Sequence, residues 1–394
     1  MAAQLITNVR IVEPGTRIYP GQLLINAGRI AAVGPRIAEA APDTTVVDGN
    51  GGWLTPGLID VHTHGIRKFH YDYDTPPEDF AAAARVLGQY GTTCVFPTLV
   101  PRDEPNFVAK LRRLPAALPR GKGACMPGIH LEGPFVALSG AACATMPGDL
   151  QLLDDLLAAC ENRVAIMSIS PDQKNILPVI ERLRERGIVP FMTHTRASVE
   201  QTQAAIEAGA VHATHFYDVF PVPEETEPGA RPVGAVETIL ADRRVSVDFI
   251  CDGVHVHPMA IRAAVAAKGP QGVILITDSN IGAGLPPGEY DTPWGYKVRV
   301  RPGDAARHVT KNFLAGSALT MDEGMRNLFR WLDLPPEQVW AMGTLNPARV
   351  LGLSNKGRIA VGADADLVLW STDLRPVKTW VDGECIYERE KNGV

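Results

Sequence analysis

The sequence has no CxxC pair, no basic segment leading into an apolar run, and no stretch of about 18 uninterrupted apolar residues. Each absence removes a class of protein. Six cysteines are scattered at 94, 125, 143, 160, 251 and 385. That scatter fits neither a disulfide framework nor a thiolate zinc site, and it reads as buried structural thiols in a reducing compartment. With no leader in MAAQLITNVRIVEPG and no membrane span, a cytoplasmic location is expected and no membrane partner. Clustered Lys and Arg are also missing. The 38 basic residues are outnumbered by 44 acidic ones, for a net charge of −6. Binding nucleic acid through its phosphates needs a basic patch, so no nucleic-acid partner is expected.

What is present is ordinary globular material. Of 394 residues, 45% are hydrophobic and 21% charged, which excludes a disordered chain. Glycine (37) and proline (32) are plentiful, so turns are many. The two ends share one style. Leu5–Val12, Gln22–Val33 and Thr45–Val47 read as strands, as do Gly357–Val361, Ala365–Leu369, Thr379–Val381 and Cys385–Tyr387. NAGRIAAVG and NKGRIAVGADADLVLW even share a Gly-Arg-Ile turn-and-strand pattern.

Between the ends, short apolar β-rich runs alternate with helical patterns. The runs are Gly57–His62, Thr92–Pro97, Cys125–Leu131, Val164–Ser168, Val189–His194, Val211–His215, Val245–Cys251 and Val273–Asp278. Eight strands alternating with helices predict an α/β fold, a (β/α)8 TIM-like barrel. The expected organisation is a catalytic barrel over 55–354 and a small β-sandwich domain built from both termini, 1–54 plus 355–394.

In such a barrel the chemistry sits where strands end. The first run ends in Asp60-Val61-His62-Thr63-His64 and the third in His130-Leu131-Glu132-Gly133. The fifth ends in Thr193-His194, the sixth in Thr214-His215, and the eighth in Thr277-Asp278; His255 follows the seventh. His62 and His64 alternate along a strand and so point to one side. Imidazoles and carboxylates gathered on one face predict a site for a divalent first-row metal, with zinc the commonest fit. His70, His212 and His308 have no partner visible in the sequence and read as surface or packing residues. His130 reads as a supporting or core residue, and His257 is open.

The chain resembles the amidohydrolase superfamily and, within it, the N-acetylglucosamine-6-phosphate deacetylases. The matching segments are PGLIDVHTHG (56–65), HLEGPF (130–135), THTRAS (193–198), ATHFYDVF (213–220), DGVHVHP (252–258), LITDS (275–279), LAGSALTMDEGMRNL (314–328) and NPARVLGLSNKGRIAVGADADLVLW (346–370). The resemblance implies Glu132, His194 and His215 as ligands of a main metal. It implies His62 and His64 as ligands of a second, so one or two Zn²⁺ or other first-row ions are expected. It implies Asp278 as the catalytic carboxylate and His255 as a substrate-contacting histidine. A metal-dependent deacetylase acting on a small N-acylated molecule, and a homodimer, follow from the same resemblance. The fourth strand carries no Lys, so the carboxylated lysine of hydantoinase-like relatives is not expected.

Three departures concern the substrate. The family's Gly-x-His-x-Pro element is replaced by Gly140-Ala141-Ala142-Cys143-Ala144-Thr145-Met146-Pro147, which has no His. The Asn-Ala pair that meets the sugar phosphate is replaced by Asp218-Val219. The family's Arg before Glu-Pro-Gly is Thr226 here, with Arg231 nearby. Ala142, Asp218, Val219, Arg231, His255 and Ser317 are therefore the candidate substrate contacts. Two readings stand: an amino-sugar deacetylase, or a related amidohydrolase acting on an unphosphorylated N-acyl compound or another amide. A metal-binding scaffold without turnover is disfavoured by Asp278.

Overall fold

The structure, a computed structural model, describes residues 2–38, 41–104, 106–119, 121–140 and 143–390. Eight parallel strands form the barrel in chain order: Leu58–Thr63, Thr92–Leu99, Ile129–Glu132, Val164–Ile169, Val189–Met192, His212–Ala213, Ser246–Ile250 and Val273–Ile276. The first two are buried at every position. Strands covered on both faces carry continuous apolar runs rather than alternation, which is why they stand out in the sequence. The ring is drawn closed between its first and eighth strands. The Asp278 N–H donates to the His62 carbonyl at 2.9 Å, and the Thr277 hydroxyl donates to Asp60 at 2.6 Å.

Local signals set the helices between them. Ser198 and Gln201 form a reciprocal capping box at the start of Val199–Ala208, and Gly209 closes that helix in the left-handed region. Asp149 caps Leu150–Ala159 by accepting from the N–H groups of Gln151 and Leu152. His257 caps Pro258–Lys268 by accepting from the Met259 N–H, so its role is structural.

The terminal segments build one seven-stranded sheet in the order Glu384–Glu388, Pro376–Val381, Leu367–Trp370, Thr45–Pro56, Gln4–Glu13, Arg17–Asn26, Arg29–Gly34. The sheet folds over on itself as a β-sandwich. Gln4, in the first strand, bonds the Gly383 carbonyl and the Trp380 indole of the last hairpin. Ile6, Ile11, Leu23, Ile25, Leu54, Leu367 and Trp380 fill the space between. Trp370, its ring tilted against that of Trp340 with centroids 4.9 Å apart, joins the sheet to the barrel core. Gly91 approaches this joint so closely that a Cβ there would lie 2.8 Å from the Trp370 ring. Truncating either buried Trp leaves a cavity costing about 3–5 kcal/mol.

Two expectations about the ends are corrected. Gln22–Val33 is a hairpin, broken by Ala27 and Gly28 at positive φ. Gly357–Val361 is not a strand: Gly357 and Gly362 are left-handed, and the Gly362 N–H bonds the Ile30 carbonyl from a loop. All six cysteines are unpaired, but Cys385 is exposed rather than buried. Past the eighth barrel strand, Gly288–Asp291, Lys297–Val300 and Arg307–His308 form a small antiparallel flap. Among the described residues no helix is long and apolar enough to cross a membrane.

Candidate active site

The reactive residues stand at the carboxyl ends of the barrel strands. His62 lies within the first strand and His64 just beyond it; Glu132 ends the third. His194, His215 and Asp278 each lie two residues past their strands, and each has a positive φ (49°, 33° and 45°). Side chains rarely adopt this backbone, which costs of order 1–3 kcal/mol per residue. Three such residues around one ring mark it as a site where geometry has been favoured over stability.

Glu132 is the hub. Its Oε1 lies 3.1 Å from the Nε2 atoms of both His194 and His215, and its Oε2 lies 3.2 Å from His64 Nε2. His62 Nε2 is 3.8 Å from Glu132 and 3.4 Å from His64 Nε2. Asp278 Oδ1 faces the same pair, 3.6 Å from His62 and 3.4 Å from His64. Two groupings are spaced to hold a metal ion: His62 with His64 and Asp278, and His62 with Glu132 and His215.

The opposite ring nitrogens are held from behind. His64 Nδ1 donates to the Thr98 carbonyl at 3.1 Å, which leaves its Nε2 lone pair facing inward. His62 Nδ1 meets the Thr214 hydroxyl at 3.1 Å, and His215 Nδ1 lies 3.4 Å from the Asp218 carbonyl. His194 Nδ1 is buried and has no partner, the kind of orphaned polar atom that a bound group explains. With four imidazoles and two carboxylates converging, the donor set fits a divalent cation.

The charge states agree with that fit. Burial favours the acid form of Glu132, yet the surrounding histidines hold it well below the usual carboxylate range. Burial drives His62 well below its ordinary value, keeping it a neutral ligand. His64 and His215 also suffer burial, but Glu132 outweighs it and raises both, His215 to about 10. A cluster that retains protons at neutral pH is one in which a cation replaces them. Asp278 is pushed up to about 6 by burial, against the pull of His64 and His215.

Supporting residues were not visible as a motif. Asp248, fully buried, accepts from the His215 backbone N–H and meets His212 Nε2 at 2.8 Å. His212 is thus a buried support rather than a surface residue. His130 bonds the Val61 carbonyl and the Ser168 hydroxyl beneath the ring. Asp252 holds His255, which lines the cavity, through a 2.7 Å bond to Nδ1. Asp248→Asn exchanges an acceptor for a donor behind His215. It is expected to lower metal affinity or kcat/KM by about 10–100-fold. Metal titration and steady-state kinetics check this, and unchanged values for both would exclude the support.

The ring opens into a cavity of about 700 Å³. His64, Glu132, His194, His215, Asp218, Val219, His255 and Asp278 line it, along with Arg102, Asn280, Trp294 and Tyr296. His62 sits just behind, fully buried. Two expected substrate contacts, Ser317 and Arg231, are not among the residues lining their own chain's cavity. Ser317 is fully buried and its hydroxyl donates to the Thr277 carbonyl at 2.5 Å, so it braces the strand bearing Asp278. The Arg231 side chain is 84% exposed and paired with Glu237. Ala142 lies outside the described residues.

A closed (β/α)8 barrel with histidines and carboxylates at its strand ends defines the amidohydrolase class, and the Amidohydrolase family model matches residues 53–386. N-acetylglucosamine-6-phosphate deacetylase of Bacillus subtilis is 31% identical over 395 residues, covering 97% of each chain. N-acetylgalactosamine-6-phosphate deacetylase of Escherichia coli O157:H7 is 30% identical, covering 92% of this chain and 94% of its own. The crystal structure of the Mycobacterium smegmatis N-acetyl-D-glucosamine-6-phosphate deacetylase superposes with a TM-score of 0.85 at 28% identity, over 98% of this chain and all of that one. The chain belongs to the amidohydrolase family, among the relatives of N-acetylglucosamine-6-phosphate deacetylase.

Proposed function

We propose that the protein hydrolyses the N-acetyl amide of an amino sugar, releasing acetate and the free amine. The observation that carries this is Asp278, raised in pKa and set 3.4–3.6 Å from the two histidines of a metal-fitting cluster. The relatives' names supply the amide and the hexosamine.

A divalent cation bound there, zinc by its donor set, would supply a water with its pKa lowered to about 7, and a Lewis acid for the carbonyl. Glu132, His194 and His215 would hold it, with His62 and His64 available to a second ion. Asp278 takes the water's proton on the cavity side and delivers it to the departing nitrogen. Burial lowers the pKa of His255, but Asp252 outweighs it and the net shift is upward. Asp252 thus favours the imidazolium form of His255, and in that form its Nε2–H donates a hydrogen bond to the developing oxyanion. Cleavage of the amide C–N bond then leaves acetate and the protonated amine. The unpaired thiols fit a cytoplasmic setting, and the family resemblance a homodimer.

The test is acetate release by the zinc-loaded protein from N-acetylglucosamine and from its 6-phosphate. A kcat/KM of about 10⁴ M⁻¹s⁻¹ or more on either, lost on chelation, supports the reading. No release from either by fully metal-loaded protein sinks it.

A further inference from the structure

We propose that Cys94 and Cys125 form an oxidisable dithiol at the amino-terminal mouth of the barrel, which a hydroperoxide closes to an intramolecular disulfide. The pair lies at the opposite end of the strands from the metal-fitting ring and stands independently of the deacetylase reading.

The first observation is register. Cys94 is the third residue of the second barrel strand, and Cys125 lies four residues ahead of the third strand. The two residues face each other as a parallel bridge. The Cys125 N–H donates to the Thr93 carbonyl at 2.7 Å, and the Val95 N–H donates to the Cys125 carbonyl at 2.9 Å. Residues paired directly across a sheet point their side chains to one face, on strands about 4.8 Å apart. A disulfide spans Cα separations of about 4.4–6.8 Å, so the bond can close here with little backbone movement. The two thiols already hydrogen-bond each other.

The second observation is the setting. Cys94 is fully buried in the cluster that holds Ile59 and Phe96, whereas Cys125 is only half-buried. The Lys356 ammonium acts on both thiols from a place fixed by Asp366 at 2.5 Å and Asp364 at 3.0 Å. The bond from Cys94 lowers the Cys125 thiol below its ordinary value, and Lys356 adds to that, against burial, Asp366 and Asp382. The bond to Cys125 and burial push Cys94 well up. A partly exposed thiol inclined to ionise, beside a buried one that keeps its proton, is a nucleophile with a resolving partner. The Cys125 thiolate attacks one peroxide oxygen, which stays on sulfur as a sulfenic acid while the other leaves and is protonated to water. The Cys94 sulfur then attacks Cys125 Sγ, giving up its proton, and the sulfenic oxygen leaves as a second water. Two thiols and one hydrogen peroxide thus give one disulfide and two waters. Cys143, Cys160 and Cys251 are buried, and burial pushes each of them up, so they are the internal controls.

The experiment treats reduced, zinc-loaded protein with a modest excess of hydrogen peroxide, digests it without reductant and maps the cross-links by mass spectrometry. The expected product is a peptide pair joining Cys94 to Cys125 and lost on adding dithiothreitol. It should be at least about tenfold more abundant than any pairing that involves Cys143, Cys160 or Cys251. Cys94→Ser removes the resolving thiol, so the sulfenic acid should persist and be labelled by dimedone on Cys125. Cys125→Ser should label Cys94 at least about tenfold less. The wild-type map requires no variant to fold, so the pairing is tested even where a substitution destabilises the barrel. No Cys94–Cys125 pair from the folded protein, a pair formed only in urea, or equal labelling of the two cysteines in the single variants overturns the proposal.

Discussion

Asp278→Asn is expected to lower kcat by about 10³-fold while the protein keeps the metal held by Glu132, His194 and His215. The substitution retains the shape and one oxygen, so what is lost is a group able to accept a proton from water and pass it on. General acid–base groups contribute about 10²–10⁴ in rate, which sets the size. The pH profile gives a second handle with a definite sign. Asp278 works as a base only when ionised, and burial has raised it to about 6. Activity is therefore present above that value and falls as pH drops through it. A bound cation favours the carboxylate, so the acidic limb moves below pH 6 in the metal-loaded enzyme. The Asp278→Asn variant should lose that limb from whatever rate remains. Metal analysis, kcat and a kcat/KM–pH profile check all three points together. Full metal content with full activity would exclude the assignment.

Much of this centre was readable from the chain, for a physical reason. Barrel strands are buried on both faces, so each appears as an apolar run, and the polar residues that terminate the runs are the ones placed on the catalytic face. HTH after the first run and the His or Asp after the fifth, sixth and eighth needed no structure. What supports them needed one. Asp248 and Asp60 sit inside the apolar runs SVDFI and LIDVHT. A carboxylate there is a signal in itself, because burying it demands partners. The sequence does not say that those partners are His212, the His215 backbone and Thr277.

Ser317 failed as a substrate contact for the complementary reason. Its neighbour Gly316 lines the cavity, but the Ser317 side chain turns inward to the Thr277 carbonyl, and a one-residue difference in facing is invisible to a motif. Gly357–Val361 failed because its Gly-Arg-Ile pattern matches the N-terminal hairpin, and Gly28 and Gly357 are both left-handed, but here a second left-handed glycine, Gly362, follows and the segment runs as a loop. Nor does the pattern of residues distinguish a charge that is free from one that is spent. Arg102 is matched by Asp72 and Arg231 by Glu237, pairings that the sequence does not show.

The largest loss is expected at Glu132. Its two oxygens take contacts from three of the four histidines, so Glu132→Gln removes the anion that the whole cluster is arranged around. Losing an outer support costs about 10–100-fold in metal affinity, and losing the shared hub should exceed that range, with kcat/KM falling about 10³-fold or more. Glutamine keeps the volume, so the barrel should stay folded, and a competition titration with a chelator of known affinity reads the change. The decisive comparison is the double variant. If Glu132 and Asp278 act on the same water in the same step, removing one leaves the other little to do. Glu132→Gln combined with Asp278→Asn should then be no slower than the worse single variant, within about threefold, as for residues that act as a unit. Multiplying losses would mean that the two carboxylates serve independent roles, and the shared centre built around Glu132 would have to be abandoned.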